Sequence, residues 1–187
     1  MSLLVIILTV LQSLFSTLEQ KTLQADFTMV QNQAAVNTQV PMTYTGDIKM
    51  RGQKFMMSMW TMEAAYDGKT LYVYNDDIEE LTLSYPTDEE LQTTNPILFA
   101  KSILPTCNYS EKVSGDKTLI TLTPKDQSKG IKKLLLQINT NTLVPIYIEM
   151  YETNGVLTTL HFNNVKYTTE NPSFKLTKPG VYINDLR

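Results

Sequence analysis

The chain carries one histidine, His161, and one cysteine, Cys107. A nucleophilic pair of the usual kind would join these two, or His161 and a hydroxyl. A catalytic imidazole needs a nucleophile within hydrogen-bond reach and a third group to orient it. His161 precedes Phe162 in a strand-like stretch with no nucleophile elbow beside it. It reads as a strand histidine in polar surroundings. Cys107 has no second cysteine to pair with and reads as a small buried hydrophobe. One His, one Cys and no carboxylate-rich loop do not compose a metal site. Asp76, Asp77, Glu79 and Glu80 flank a turn and read as solvated. No glycine loop of the phosphate-cradling kind occurs. The sequon Asn108-Tyr109-Ser110 is a short, common pattern and carries little weight. The expectation is a protein that is not an enzyme and holds no metal or cofactor. A hydrolase would require His161 beside Cys107 or a Ser or Thr in a cleft.

What remains is apolar chemistry. The chain has nine methionines, and Met50, Met56, Met57, Met59 and Met62 fall within thirteen residues. Methionine is flexible and polarizable, which suits irregular core gaps or a surface that accepts varied shapes. Alternation puts Phe55, Met57 and Met59 on one strand face. Met56 and Trp60 make the other face apolar too, whereas a sheet with one buried face is polar on its outer side. One face is therefore expected on a core helix and the other against a lid or ligand.

These residues need elements to position them. Ile7, Val10, Leu11, Leu14, Phe15 and Leu18 follow helical spacing, so a helix is expected from about Leu4 to Lys21. Strands are expected at 22–33, 40–50 and 55–62, with turns at 32–38 and 51–54. Asp67-Gly68 signals a two-residue primed hairpin turn. Strands at 64–74 and 78–85 follow, around the polar turn Asn75-Asp76-Asp77. Asp88 as N-cap and Pro96 after Asn95 start one or two short helices within 87–104, which Pro105 stops. Strands resume at 107–113, 118–123, 132–139, 143–152 and 155–165, with a last one near Phe174. Gly115-Asp116, Asn139-Thr140-Asn141 and Asn154-Gly155 are their turns. Turns every 8 to 12 residues describe a sandwich or barrel. No repeat, linker or low-complexity tract interrupts the chain, so residues 1–187 are expected to form one domain.

Composition limits the partners. Sixteen Lys and Arg oppose nineteen Asp and Glu in 187 residues, a net charge of −3. That balance lacks the basic footprint of a nucleic-acid binder. Charged residues make up 19%, and Thr, Asn and Gln supply the remaining polarity. Residues 1–18 lack the basic start and small-residue cleavage site of a signal peptide. Polar residues from Thr9 to Thr17 also break the run before it could span a bilayer. The segment reads as the amphipathic helix of a mature domain. A lone thiol fits an oxidising compartment only when buried or inert.

The order of these pieces carries a resemblance. Ala25-Asp26-Phe27 follows the helix, Gly46-Asp47-Ile48 leads to Arg51 and Phe55, and the hairpin from Tyr66 to Tyr74 precedes Glu80-Leu81-Thr82. Asn95-Pro96-Ile97-Leu98-Phe99, Leu122-Thr123-Pro124-Lys125 and Pro179-Gly180-Val181 come later. This succession, nearly the full chain, resembles the periplasmic carriers of outer-membrane lipoproteins, the LolA-like family. The resemblance implies an α+β fold in which a strongly curved, mostly antiparallel sheet forms an open, incomplete β-barrel. An N-terminal helix and short lid helices would cover it. It implies a monomeric carrier that shields the acyl chains of lipoproteins in an apolar cavity and delivers them to the outer membrane. Its partners would be acylated lipoproteins, an inner-membrane release complex and an outer-membrane acceptor. The cavity residues expected are Leu11, Phe55, Met57, Met59, Ile97, Leu98 and Phe99. By resemblance Arg51 would latch the lid through bonds to its backbone. The alternative is a non-catalytic scaffold or sensor module that binds a protein tail or another hydrophobic ligand.

Overall fold

Leu11, Leu14 and Leu18 recur three and four residues apart and are all buried, which fixes the inward stripe of helix α1 (Leu3–Gln20). The structure, a computed structural model, describes residues 3–33, 41–127 and 130–187. Most of the turn expected at 32–38 lies outside the described residues.

Twelve described strands form one sheet: β1 (Thr22–Gln33), β2 (Met42–Arg51), β3 (Lys54–Met59), β4 (Met62–Tyr66), β5 (Leu71–Asn75), β6 (Glu80–Ser84), β7 (Cys107–Ser114), β8 (Lys117–Pro124), β9 (Ile131–Asn139), β10 (Pro145–Glu152), β11 (Val156–Thr168) and β12 (Tyr182–Asp185). Their order is β12-β6-β5-β4-β3-β2-β1-β11-β10-β9-β8-β7, so the curved sheet does not close. All neighbours are antiparallel except β12, which runs parallel to β6. Between β6 and β7 lie α2 (Asp88–Thr94), α3 (Pro96–Ile103) and a 3-10 turn, Leu104–Thr106. The expected α+β open barrel with helical cover is therefore the observed fold.

Side-chain alternation sorts the sheet into two apolar faces. Leu23, Ala25, Phe27, Ile48, Met50, Phe55, Leu134, Leu136, Ile148, Leu160 and Phe162 pack with α1 and α3 into the main core. A second cluster, Ala65, Tyr72, Tyr74, Leu81, Leu83 and Leu176, gathers Met56 and Val181 on the opposite face. The methionine-rich strand is apolar on both sides because the chain after β11 covers its outer side. The outer cover is thus neither lid nor ligand.

Glycine decides two contacts. A Cβ on Gly46 would lie 2.0 Å from the Ser58 carbonyl oxygen and 2.6 Å from the Phe27 ring, so only glycine lets that ring cross β2. Gly52 sits at φ +58, and its N–H donates to the Leu18 carbonyl at 2.7 Å, satisfying the last turn of α1.

Four expectations change. The strand expected over 55–62 ends at Met59, because Trp60 (φ +54) and Thr61 make a two-residue turn into β4. Asp67-Gly68 is part of a four-residue loop from β4 to β5, not a two-residue turn. The Asp67 carboxylate accepts from the Lys69 and Thr70 N–H groups and from the Tyr72 hydroxyl, and so organises the longer loop. Burial pulls that carboxyl up, and these bonds outweigh it and hold it below its ordinary value. The strand expected from 64 to 74 is accordingly split in two. No strand forms at Phe174. That stretch carries Pro172 and Pro179, which lack the N–H a ladder needs. Phe174 is nevertheless buried, and Lys178 Nζ pairs with Glu63 Oε1 at 2.5 Å.

Candidate ligand cavity

The inward faces of six strands leave a gap that no side chain fills. β1 supplies Phe27 and Met29, β2 Ile48, β3 Met57 and Met59, β9 Ile131 and Leu134, β10 Ile148, Met150 and Glu152, and β11 Thr158, Leu160 and Phe162. Thr94 at the end of α2 and Phe99 on α3 roof it. The cavity measures about 550 Å³, within the range of about 300–1,000 Å³ typical of a pocket for one drug-sized ligand. Its lining is almost wholly apolar. Glu152 is the one ionisable residue among the described lining residues.

Three of the expected residues, Met57, Met59 and Phe99, line this cavity. Phe55 does not. It is 0% exposed and packs on Tyr66, with ring centroids 6.3 Å apart. Leu11, Ile97 and Leu98 are likewise buried in the main core and are not among the lining residues. The physical reason is length along the strand. Phe55 lies two residues nearer the α1 end of β3 than Met57, where the helix has already filled the space. Sequence reasoning missed Phe27, Met29, Ile48 and the whole contribution of β9, β10 and β11. Their inward alternation was readable, but which inward residues meet a void and which meet a helix depends on where α1 stops.

The lid is a capped pair of helices. Thr87 and Glu90 form a reciprocal capping box on α2, and those bonds from the Thr87 backbone and hydroxyl hold the Glu90 carboxyl below its ordinary value. Asn95 caps α3 by accepting from the Ile97 and Leu98 N–H groups at 3.0 and 3.2 Å. Asn95 is fully buried, and its Nδ2 donor finds no partner among the described residues. Lys101 Nζ reaches Glu19 Oε1 on α1 at 3.0 Å.

Arg51 does not hold this lid. Its guanidinium donates to the carbonyls of Thr169 and Glu170 at 3.2 and 3.3 Å, and among the described residues to no atom of α2 or α3. The Thr22 hydroxyl donates to the same Glu170 carbonyl at 2.5 Å. Arg51 therefore fastens the chain leaving β11, because the β2–β3 turn ends beside it rather than beside the lid.

The nucleophile candidates lie apart. His161 is exposed on the outer face of β11, its ring 5.8 Å from that of Tyr147. Cys107 is buried in the main core on β7, four strands away in sheet order, and burial pushes its thiol up. Among the described lining residues the aromatic rings are Phe27, Phe99 and Phe162, none of which carries a reactive group. Among the described residues no group of three or more His, Cys, Asp or Glu could hold a metal ion, and no helix is long and apolar enough to cross a membrane.

Beyond the cavity the inward surface continues to the strand ends. Met29 faces Tyr44 across the β1–β2 ladder, and Tyr44 meets Trp60 with ring centroids 5.9 Å apart. Trp60 is 80% exposed. Gln31, Thr158 and Glu152 occupy the same end on β1, β11 and β10, and Gln31 Nε2 donates to Thr158 Oγ1 at 3.4 Å. An aromatic ledge and a polar arc thus share the rim.

The sequence and the fold both have relatives among known proteins. An outer-membrane lipoprotein carrier protein of Pectobacterium carotovorum subsp. carotovorum (strain PC1) is 25% identical over 122 residues, or 65% of this chain and 59% of that one. The match therefore spans 59% of that relative's length. Among solved structures, an uncharacterized conserved protein from Thermus thermophilus superposes with a TM-score of 0.60 at 12% identity, covering 93% of this chain and 98% of that one. A LolA superfamily protein from Nitrosomonas europaea aligns with a TM-score of 0.45 at 12% identity, covering 88% and 97%. The sequence profile of outer membrane lipoprotein carrier protein LolA matches residues 19–177, and the chain belongs to that family.

Proposed function

We propose that the chain is a periplasmic carrier that shelters the acyl chains of lipoproteins in this cavity and delivers them toward the outer membrane, without catalysis. The observation that carries the reading is the cavity itself: about 550 Å³ of apolar space under a lid, in a member of a carrier family. Burying an acyl chain is favourable by about 0.8 kcal/mol per methylene. A flexible thioether lining from Met29, Met57, Met59 and Met150 fits chains of varied shape without a rigid mould. The whole chain acts as one carrier unit, a monomer that meets an inner-membrane release complex and an outer-membrane acceptor, and it needs neither metal nor cofactor.

The test is binding of a solvatochromic apolar dye, followed by its displacement with a triacylated lipopeptide. About one dye per chain is expected. Met59→Glu should abolish binding, because an unpaired carboxylate in apolar surroundings is strongly disfavoured. His161→Ala should leave it unchanged, since that ring faces away. Dye binding that survives Met59→Glu in a folded protein would overturn the cavity as the cargo site. Capture of a protein tail without displacement of the dye would instead favour a scaffold or sensor module.

A further inference from the structure

The cavity is apolar except at one end, and that end is built from three strands. Glu152 shares the inward face of β10 with Ile148 and Met150, which also line the cavity. Thr158 lies opposite Met150 on β11, and Gln31 lies opposite Thr158 on β1. The Glu152 carboxylate takes one hydrogen bond, at Oε2 from Asn154 Nδ2 at 3.0 Å. Among the described residues it has no ion-pair partner. Lys132, next to Ile131 in the ladder opposite Glu152, is exposed, and Lys133 places its Nζ 4.0 Å from the centre of the Tyr151 ring, which alternates to the outer face. A half-buried carboxylate with acceptor capacity left over among the described residues therefore borders a void whose only other polar lining is the hydroxyls of Thr94 and Thr158.

We infer that this site selects amphiphiles by their heads, seating an apolar chain in the cavity and a cationic, hydrogen-bond-donating head at Glu152, and that it disfavours anionic heads. The inference rests on the carrier reading and sharpens it. A lipid anchor followed by a basic peptide segment fits, and a free fatty acid does not. The geometry supplies both halves of the discrimination. An ammonium at the rim meets a carboxylate acceptor with the Thr158 hydroxyl beside it. A carboxylate or phosphate head meets like charge in half-sheltered surroundings, where screening is weaker than in bulk water. The chain end is indifferent to the head and is held by Phe27, Leu160 and Phe162 in every case.

The experiment compares three probes of equal chain length at neutral pH, each below its micelle concentration: dodecylamine, dodecanol and dodecanoate. Calorimetry or dye displacement gives the affinities. Dodecylamine is expected to bind about tenfold more tightly than dodecanoate, a difference of about 1.4 kcal/mol, with dodecanol between them. In Glu152→Gln the spread should collapse to about twofold, and in Glu152→Lys the order of amine and carboxylate should reverse. Dodecanol binding reports that the cavity is intact in each variant. Equal binding of amine and carboxylate to the native protein, or a preference that persists in Glu152→Gln, overturns head selection while leaving the cavity reading standing. Failure of all three probes to bind would overturn the cavity reading as well.

Discussion

Gly46 and Arg51 show how single residues hold the fold around the site, and both allow direct tests. Gly46 faces the cavity side of β2, where the Phe27 ring passes over it on its way to the lining. A methyl group there meets a backbone oxygen, which cannot swing away. Gly46→Ala should therefore cost about 1–3 kcal/mol as overpacking, seen as a lower urea midpoint at unchanged slope. A loss below a few tenths of a kcal/mol would mean that β2 and β3 separate easily at this point. Arg51→Leu removes two exposed bonds to the chain after β11. Amide exchange at 168–171 should quicken while the lid amides 97–103 keep their native rates. The reverse pattern would restore the lid-latch role. The sequence makes Arg51 visible as a turn residue with donors to spare, but not what those donors reach. Thr169 and Glu170 lie 118 and 119 residues further on. Local patterning says nothing about such pairs.

At the scale of elements, hairpins were legible because their turns are local chemistry. Gly115-Asp116 and Asn154-Gly155 mark the β7–β8 and β10–β11 turns where expected, with both glycines at positive φ. The capped starts of α2 and α3 were equally readable in Asp88 and Asn95-Pro96, although the cap of α2 is Thr87 rather than Asp88. The outer cover of β3 was not readable, since an irregular segment with two prolines has no period to detect. The lid start carries its own pH dependence. The Glu90 carboxylate accepts from the Thr87 backbone and hydroxyl in the folded state, so its folded pKa lies below the ordinary 4.5. A group with a depressed folded pKa stabilises above its unfolded value and loses that contribution as the pH falls through the folded one. Protection of the α2 amides should therefore decline as the pH drops below about 4.5. In Glu90→Gln, which keeps a neutral capping box, it should be flat over that range. Equal acid sensitivity in both proteins would assign the effect to other carboxylates.

For the whole molecule the size of the void is the governing quantity. A cavity of about 550 Å³ suits one drug-sized chain, whereas a triacylated cargo brings three. Each chain of a dozen methylenes gains about 10 kcal/mol on full burial, at about 0.8 kcal/mol per methylene, so the second and third can drive opening. What resists them is modest. The Lys101–Glu19 pair is exposed on both sides and contributes at most about 1 kcal/mol. The apolar underside of α3, with Ile97, Ala100 and Ile103 buried, contributes a few kcal/mol more. The sheet cannot yield in the same way, because its β1–β2 ladder is long and unbroken and its β1–β11 ladder is long, with one irregularity between Gln24 and Asp26. On the proposed carrier reading, a ligand with several chains is therefore expected to lift α2 and α3, and one with a single chain is not. Hydrogen exchange separates the two cases. Saturating dodecanol should leave exchange at 97–103 unchanged or slower, while a triacylated lipopeptide should quicken it by tenfold or more with β1 still protected. Lys101→Ala should shift the lid amides only slightly, by the small worth of the exposed pair. If the triacylated ligand protects residues 97–103 instead, the lid closes over three chains and the cavity must expand within the sheet.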